Sequence, residues 1–289
     1  MTEKHALAVP AAVGVLGGGR MGAGIAHAFL LAGAKVTVVE RDGQAAEAAR
    51  ERIERDLAKS LERGSVDGNL DEWAEKLTVS LDHADFADCE LVVEAVPEVW
   101  DLKVSALQEV EGHLAGTAWL ATNTSSLSVD GLAEQLARPE RFCGLHFFNP
   151  VPASKLVEVV NSKHTGEELR QLSVQWVEGL GKTAVVVNDA PGFASSRLGV
   201  AIALEAIRMV EEGVASPADI DNAMVLGYKF PVGPLALTDI VGLDVRLGIA
   251  EYLASELGPR FEPPQLMRDM VARGELGRKT GKGFFAYDQ

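Results

Sequence analysis

The sequence predicts an α/β chain in which a doubly wound, mostly parallel sheet is followed by an all-α C-terminal domain. Three observations carry this expectation. Short apolar, β-branched runs alternate with helical stretches over the first two-thirds of the chain. A glycine-rich turn links the first run to the first helical stretch. Beyond the Pro191-Gly192 break, only helical periodicity remains.

Val13 to Leu16 reads as the first strand. An Ala-rich helix follows from about Met21 to Leu31, stopped by Gly33, and Lys35 to Val39 reads as the second strand. A long charged helix covers about Gln44 to Arg63 and ends at Gly64. Leu77 to Val79, Leu91 to Val96, Trp119 to Thr122, Cys143 to Phe147, Leu156 to Val160 and Thr183 to Val187 complete the strands. Ser128 stands where it can N-cap a helix to about Leu136. Further helices are expected at about 193–212, 217–226, 234–257 and 263–273. Two domains follow, residues 1–188 holding the sheet and 189–289 the helices.

A length of 289 residues suits two ordinary domains, and the formal net charge is -15. That charge opposes nucleic-acid binding, which needs a basic face against phosphate. It leaves an anionic small ligand open, because a few local cations suffice. No apolar run reaches the ~20 residues that span a bilayer. Met1 to Pro10 lacks the basic start and long apolar centre of a signal peptide. Cys89 and Cys143 form neither a staple nor a zinc pattern. Cys143 and His146 are spaced like two metal ligands but lack a second pair, so no metal is expected. The expectation is a cytoplasmic protein with buried thiols and no membrane partner.

Gly17, Gly19 and Gly22 form a G-x-G-x-x-G turn after the first strand, with Arg20 and Met21 inside it. Gly17 permits the tight turn, Gly19 lets a pyrophosphate approach the backbone, and Gly22 lets helix and strand pack closely. The helix N-terminus offers N–H groups and partial positive charge to the phosphates. Glu40 ends the second strand, where an acidic residue grips the adenine-side ribose hydroxyls. This is a Rossmann-type arrangement for NAD, with NADP disfavoured by the Glu40 charge and Arg41 softening that preference. The Arg20 and Met21 backbone belongs to the same cofactor-facing set.

The stretch Gly144 to Glu158 resembles the L-3-hydroxyacyl-CoA dehydrogenase family, which includes bacterial 3-hydroxybutyryl-CoA dehydrogenases. Asn123 to Leu127, Pro191-Gly192-Phe193, Gly233-Pro234, Asp239 with Gly242 to Asp244, and Gly277 to Phe284 extend the resemblance over nearly the whole chain. It implies interconversion of a 3-hydroxyacyl-CoA and a 3-ketoacyl-CoA with NAD, in fatty-acid or related acyl-CoA metabolism, by a homodimer joined through the helical domain. Oxidising a secondary alcohol requires a base near neutral pH, and histidine is the natural one. The resemblance gives this role to His146, with Glu158 orienting the ring and Ser125 bonding the reacting oxygen. It places Asn123 near the nicotinamide and makes Glu98 and Lys103 cofactor-side contacts.

One position departs from the family pattern. Ser196 stands where the family has a substrate-holding asparagine, so the grip on the acyl group is expected to differ. Arg52, Arg55 and Lys59 share a face of the long charged helix. Interleaved Glu51, Glu54 and Glu62 favour a solvated surface over a CoA site. The other histidines, His5, His27, His83, His113 and His164, match no motif and read as surface or packing residues. Competing readings are a free 3-hydroxy acid dehydrogenase of gulonate or carnitine type, a β-hydroxyacid dehydrogenase with a catalytic lysine, and a non-catalytic NAD-binding protein.

Overall fold

The computed structural model describes residues 9–287. The expectations for His5 and for most of the first ten residues lie outside them. The chain divides into two compact units between Ala190 and Pro191.

In the first unit, β1 (Ala12–Leu16), α1 (Arg20–Leu31), β2 (Lys35–Val39), α2 (Gly43–Glu62), α3 (Leu70–Ala74) and β3 (Leu77–Ser80) form the first half of the winding. β4 (Leu91–Glu94), α4 (Trp100–His113), β5 (Trp119–Thr122), α5 (Val129–Ala133), β6 (Phe142–Phe147), β7 (Leu156–Asn161), α6 (Glu167–Gly179) and β8 (Thr183–Asn188) form the second. The strands make one sheet in the order β3-β2-β1-β4-β5-β6-β7-β8. All eight runs read as strands from the sequence are present.

The pairing is parallel except between β6 and β7, which run antiparallel. The Phe148–Lys155 connection between them explains this, because a parallel return needs a crossover of a dozen or more residues. Alternate strand residues feed two layers. Val13, Val15, Leu91 and Val93 pack with Ile25 and Phe29 of α1, Ile53 and Leu57 of α2, and Trp176 of α6. Gly14 and Val92 face the other side, where a Cβ on Gly14 would stand 2.6 Å from the Phe86 ring. Burial on both faces is what makes these strands continuous apolar runs.

Two helical expectations in this unit need adjustment. α2 matches, with Asp42 capping it through Ala45 N at 2.8 Å. Ser128 does cap α5 through Gly131 N at 3.0 Å, yet that helix stops at Ala133 rather than near Leu136. Its end tightens into three-residue turns at Gln135 and Leu136, ahead of Pro139, which disfavours helix in the residue before it.

The second unit contains α7 (Ser195–Glu211), α8 (Pro217–Asn222), α9 (Pro234–Val241), α10 (Leu243–Leu257) and α11 (Gln265–Ala272). Val200, Leu204, Ile207, Leu235, Leu253 and Met267 make its core. The helix expected over 234–257 is two helices, because Gly242 takes φ +105° and turns the chain. The helix expected over 217–226 ends at Asn222 and widens into a π turn, Ala223–Gly227. The carboxylate of buried Asp239 accepts from Phe284 N, Phe285 N and the Tyr287 hydroxyl at 2.9–3.0 Å, fastening the C-terminal tail to α9. Among the described residues, no helix is long and apolar enough to cross a membrane.

Candidate active site

The first unit holds a cavity of about 860 Å³ along the C-terminal ends of its strands. Gly17, Gly19, Arg20, Met21, Glu40, Glu98, Lys103, Asn123, Ser125 and His146 line it, whereas Gly22 and Glu158 of the expected set do not, and Ser196 lies in the second unit. This is where open α/β sheets bind ligands, outside the carboxyl ends of the strands.

The glycine turn fits a dinucleotide. A Cβ on Gly22 would sit 1.7 Å from the Gly17 carbonyl oxygen, so helix and turn need a glycine there. A Cβ on Gly19 would meet nothing within 4 Å and would project into open space instead. The α1 N-terminus has no side-chain cap and no acidic residue in its first turn, which leaves its N–H groups to an anion. Glu40 is held over the turn, accepting from Gly18 N at 2.6 Å and Arg41 N at 3.1 Å. The Arg52 guanidinium donates to the Gly18 carbonyl at 3.3 Å, so it supports the turn instead of sharing a free face with Arg55 and Lys59.

His146 and Glu158 occupy directly opposed positions across the β6/β7 pair. Nδ1 of His146 lies 2.8 Å from Oε2 of Glu158, and both residues are buried. The Phe148 ring packs against the imidazole with centroids 4.5 Å apart. Asn123 reaches the same strand end, its side-chain oxygen accepting from Phe147 N at 2.9 Å.

A polar network fixes the loop that carries Ser125. Oε1 of Glu98 accepts from the Thr124 hydroxyl at 2.6 Å, Ser125 N at 2.8 Å and Ser126 N at 3.0 Å. Burial pushes the Glu98 carboxyl up, but the Lys103 charge and these hydrogen bonds outweigh it and hold it below the ordinary range. The Lys103 ammonium, 1% exposed, sits 2.7 Å from Glu94, 3.3 Å from Glu98 and 3.1 Å from the Val96 carbonyl. It is therefore committed to its own chain, paired with buried Glu94 and with the partly exposed side chain of Glu98. Glu94 and Thr122, joined at 2.6 Å, belong to this network and were missed from sequence. A glutamate closing an otherwise apolar strand was the available signal.

Ser196 lies in the first turn of α7 in the second unit. His27 packs as expected, 2% exposed, with Nε2 3.0 Å from the Ser60 hydroxyl. Burial lowers its pKa, against the opposing charge of Asp56. His83, by contrast, lines the cavity. Cys89 and Cys143 are buried, and burial pushes their thiols up to about 11 and about 12. Among the described residues, no group of three or more His, Cys, Asp or Glu could hold a metal ion.

Glycine turn, strand-end carboxylate and sheet order define a dinucleotide-binding oxidoreductase with a carboxylate-paired histidine on its cavity wall. Residues 12–190 match the family model described as 3-hydroxyacyl-CoA dehydrogenase, NAD binding domain, and residues 192–287 the one described as 3-hydroxyacyl-CoA dehydrogenase, C-terminal domain. The chain belongs to the 3-hydroxyacyl-CoA dehydrogenase family. It is 40% identical over 275 residues to a probable 3-hydroxybutyryl-CoA dehydrogenase of Deinococcus radiodurans, covering 95% of this chain and 99% of that one. It is 39% identical over 284 residues to the mitochondrial hydroxyacyl-coenzyme A dehydrogenase of Rattus norvegicus, covering 95% and 90%. The crystal structure of (S)-3-hydroxybutyryl-CoA dehydrogenase from Ralstonia eutropha superposes with a TM-score of 0.91 at 36% identity, covering 97% of this chain and all of that one.

Proposed function

We propose that the protein interconverts short-chain (S)-3-hydroxyacyl-CoA and 3-ketoacyl-CoA thioesters, with His146 as general base and acid. The observation that carries this reading is His146 on the wall of the cofactor cavity, with buried Glu158 2.8 Å behind its Nδ1. The relatives named for 3-hydroxybutyryl-CoA support the short chain.

A carboxylate only accepts, so Glu158 keeps the hydrogen on Nδ1 and makes Nε2 the basic nitrogen of the neutral ring. In the oxidative direction Nε2 removes the alcohol proton, and buried Glu158 stabilises the imidazolium that results. In the reductive direction the imidazolium returns that proton to the carbonyl oxygen. NAD, when bound, supplies the hydride acceptor. Glu40 binds the ribose hydroxyls, and its charge disfavours a 2′-phosphate. Gly17, Gly19, Arg20, Met21 and Gly22 form the phosphate cradle. Ser125 orients the reacting oxygen, and Glu98 and Lys103 act by holding its loop.

We assign acyl-group selection and dimerisation to the helical unit, and place the enzyme in the cytoplasm. Ser196, shorter than asparagine and without the amide fork, holds the acyl group more loosely. Acetoacetyl-CoA with NADH is the test, run beside NADPH and beside free acetoacetate. Turnover with the thioester and NADH supports the assignment. Faster turnover of free acetoacetate would move the substrate class to free oxo acids.

A further inference from the structure

His83 fell outside every motif, yet it stands on the cavity wall with Glu109. Nδ1 of His83 lies 2.8 Å from Oε1 of Glu109, and the His83 ring stacks on His113 at 6.2 Å between centroids. His83 begins a short 3-10 helix, His83–Phe86, pinned by the Asp82 side chain on Ala84 N at 2.9 Å and by the fully buried Phe86. Its position is therefore set by the fold and not by a mobile loop.

This corner lies at the far end of the cavity from the reacting centre. His83 follows β3, the first strand in sheet order, whereas His146 lies on β6, the sixth. Five inter-strand steps of about 4.8 Å separate those strands by about 24 Å. Glu40, the ribose-gripping residue on this reading, closes β2 next to β3.

The walls here have a distinct chemistry. Leu81 is 54% exposed and Leu102 43% exposed, and both line the cavity. On α4, Leu102, Ala106 and Glu109 are spaced i, i+4 and i+7, so one face presents two apolar side chains and then a carboxylate. Exposed apolar walls gain from a flat heteroaromatic ring that covers them. The polar pair at the end offers acceptors. Glu109 can only accept, so it holds the hydrogen on Nδ1 of His83 and leaves Nε2 of the neutral ring as an acceptor.

We propose that the His83–Glu109 pair is the element that selects adenine as the base of the dinucleotide. Adenine carries an exocyclic amine, a donor that matches these acceptors. Hypoxanthine carries a carbonyl oxygen at that position and would face acceptor with acceptor. The proposal rests on the reading of this cavity as the NAD site, and it assigns a specificity role to two residues outside the family motifs.

The test is equilibrium binding, followed by NADH fluorescence, of three probes: NADH, reduced nicotinamide hypoxanthine dinucleotide, and the mononucleotide NMNH. Wild type should prefer NADH over the hypoxanthine analogue by about tenfold or more, the size of one hydrogen bond to a charged acceptor. Glu109→Gln, whose amide can donate as well as accept, should bring that ratio to within about threefold. His83→Ala should weaken NADH about three- to tenfold and leave NMNH unchanged. Equal binding of the two dinucleotides by wild type would overturn the proposal. So would an unchanged ratio in both variants, or an equal loss for all three probes, which marks a merely structural pair. A wild type that binds neither NADH nor NMNH would overturn the cofactor reading of the cavity, and the proposal with it.

Discussion

His146 and Glu158 are register partners across the one antiparallel step of the sheet, with 2.8 Å between Nδ1 and Oε2. The geometry follows from chain length. The Phe148–Lys155 connection forces β7 to return antiparallel, and opposed residues of such a pair point to the same face. Glu158→Gln keeps an acceptor for Nδ1 but removes the charge that stabilises the imidazolium. Turnover should fall by roughly 10²–10⁴ with NADH affinity unchanged. Steady-state kinetics beside an NADH titration checks this, and a loss below threefold would remove Glu158 from the proposed role.

The glycine turn permits a contrast between two substitutions. Gly22→Ala drives a Cβ to 1.7 Å from the Gly17 carbonyl, so it should destabilise beyond the ~1–3 kcal/mol of ordinary overpacking. Gly19→Ala meets no protein atom within 4 Å and should melt like wild type. Its Cβ enters the space assigned to the pyrophosphate, so NADH affinity should drop about tenfold or more. Thermal melts and NADH titrations on both variants separate folding from binding. Similar melts for the two would contradict the argument.

Lys103 and Glu94 form a buried pair with 1% and 0% side-chain exposure. Removing one partner leaves an uncompensated charge, so Lys103→Met should cost about 3–5 kcal/mol. Adding Glu94→Gln to Lys103→Met should recover part of that loss, because the second substitution removes the stranded charge. Urea unfolding of the two variants measures the difference, and a double variant less stable than the single one would contradict the pairing.

Glu98 makes the loop of Ser125 sensitive to acid. Its carboxyl is held below the ordinary glutamate range, so folding favours the ionised form. That contribution is fully present above the unfolded-state value and is lost as pH falls through the lower folded-state value. The stability difference between wild type and Glu98→Gln should therefore be constant from neutral pH to about 5 and shrink below 4.5. Urea unfolding across that range reads it. A difference that grows on acidification would reverse the assigned direction.

How much of this was legible before the structure depends on what each feature rests on. Strands buried on both faces leave continuous apolar runs, and the half-exposed edge strands β3 and β8 were readable from their β-branched residues. The glycine turn was readable because its backbone geometry imposes glycine at fixed places, as at Gly22 against the Gly17 carbonyl. The Gly242 break was not, since a single glycine inside a helical pattern carries no sign of its φ. The Glu94–Thr122 contact stayed hidden because the two lie 28 residues apart and meet only in the folded sheet. His83 stayed hidden for the same reason, its partner Glu109 lying on another element.

The most direct test is turnover of acetoacetyl-CoA by NADH in wild type and in His146→Gln, with NADH binding measured on both. Removal of the base should lower kcat about 10²–10⁴-fold while binding and melting stay as in wild type. A His146→Gln protein that folds, binds NADH and turns over within tenfold of wild type would contradict the account.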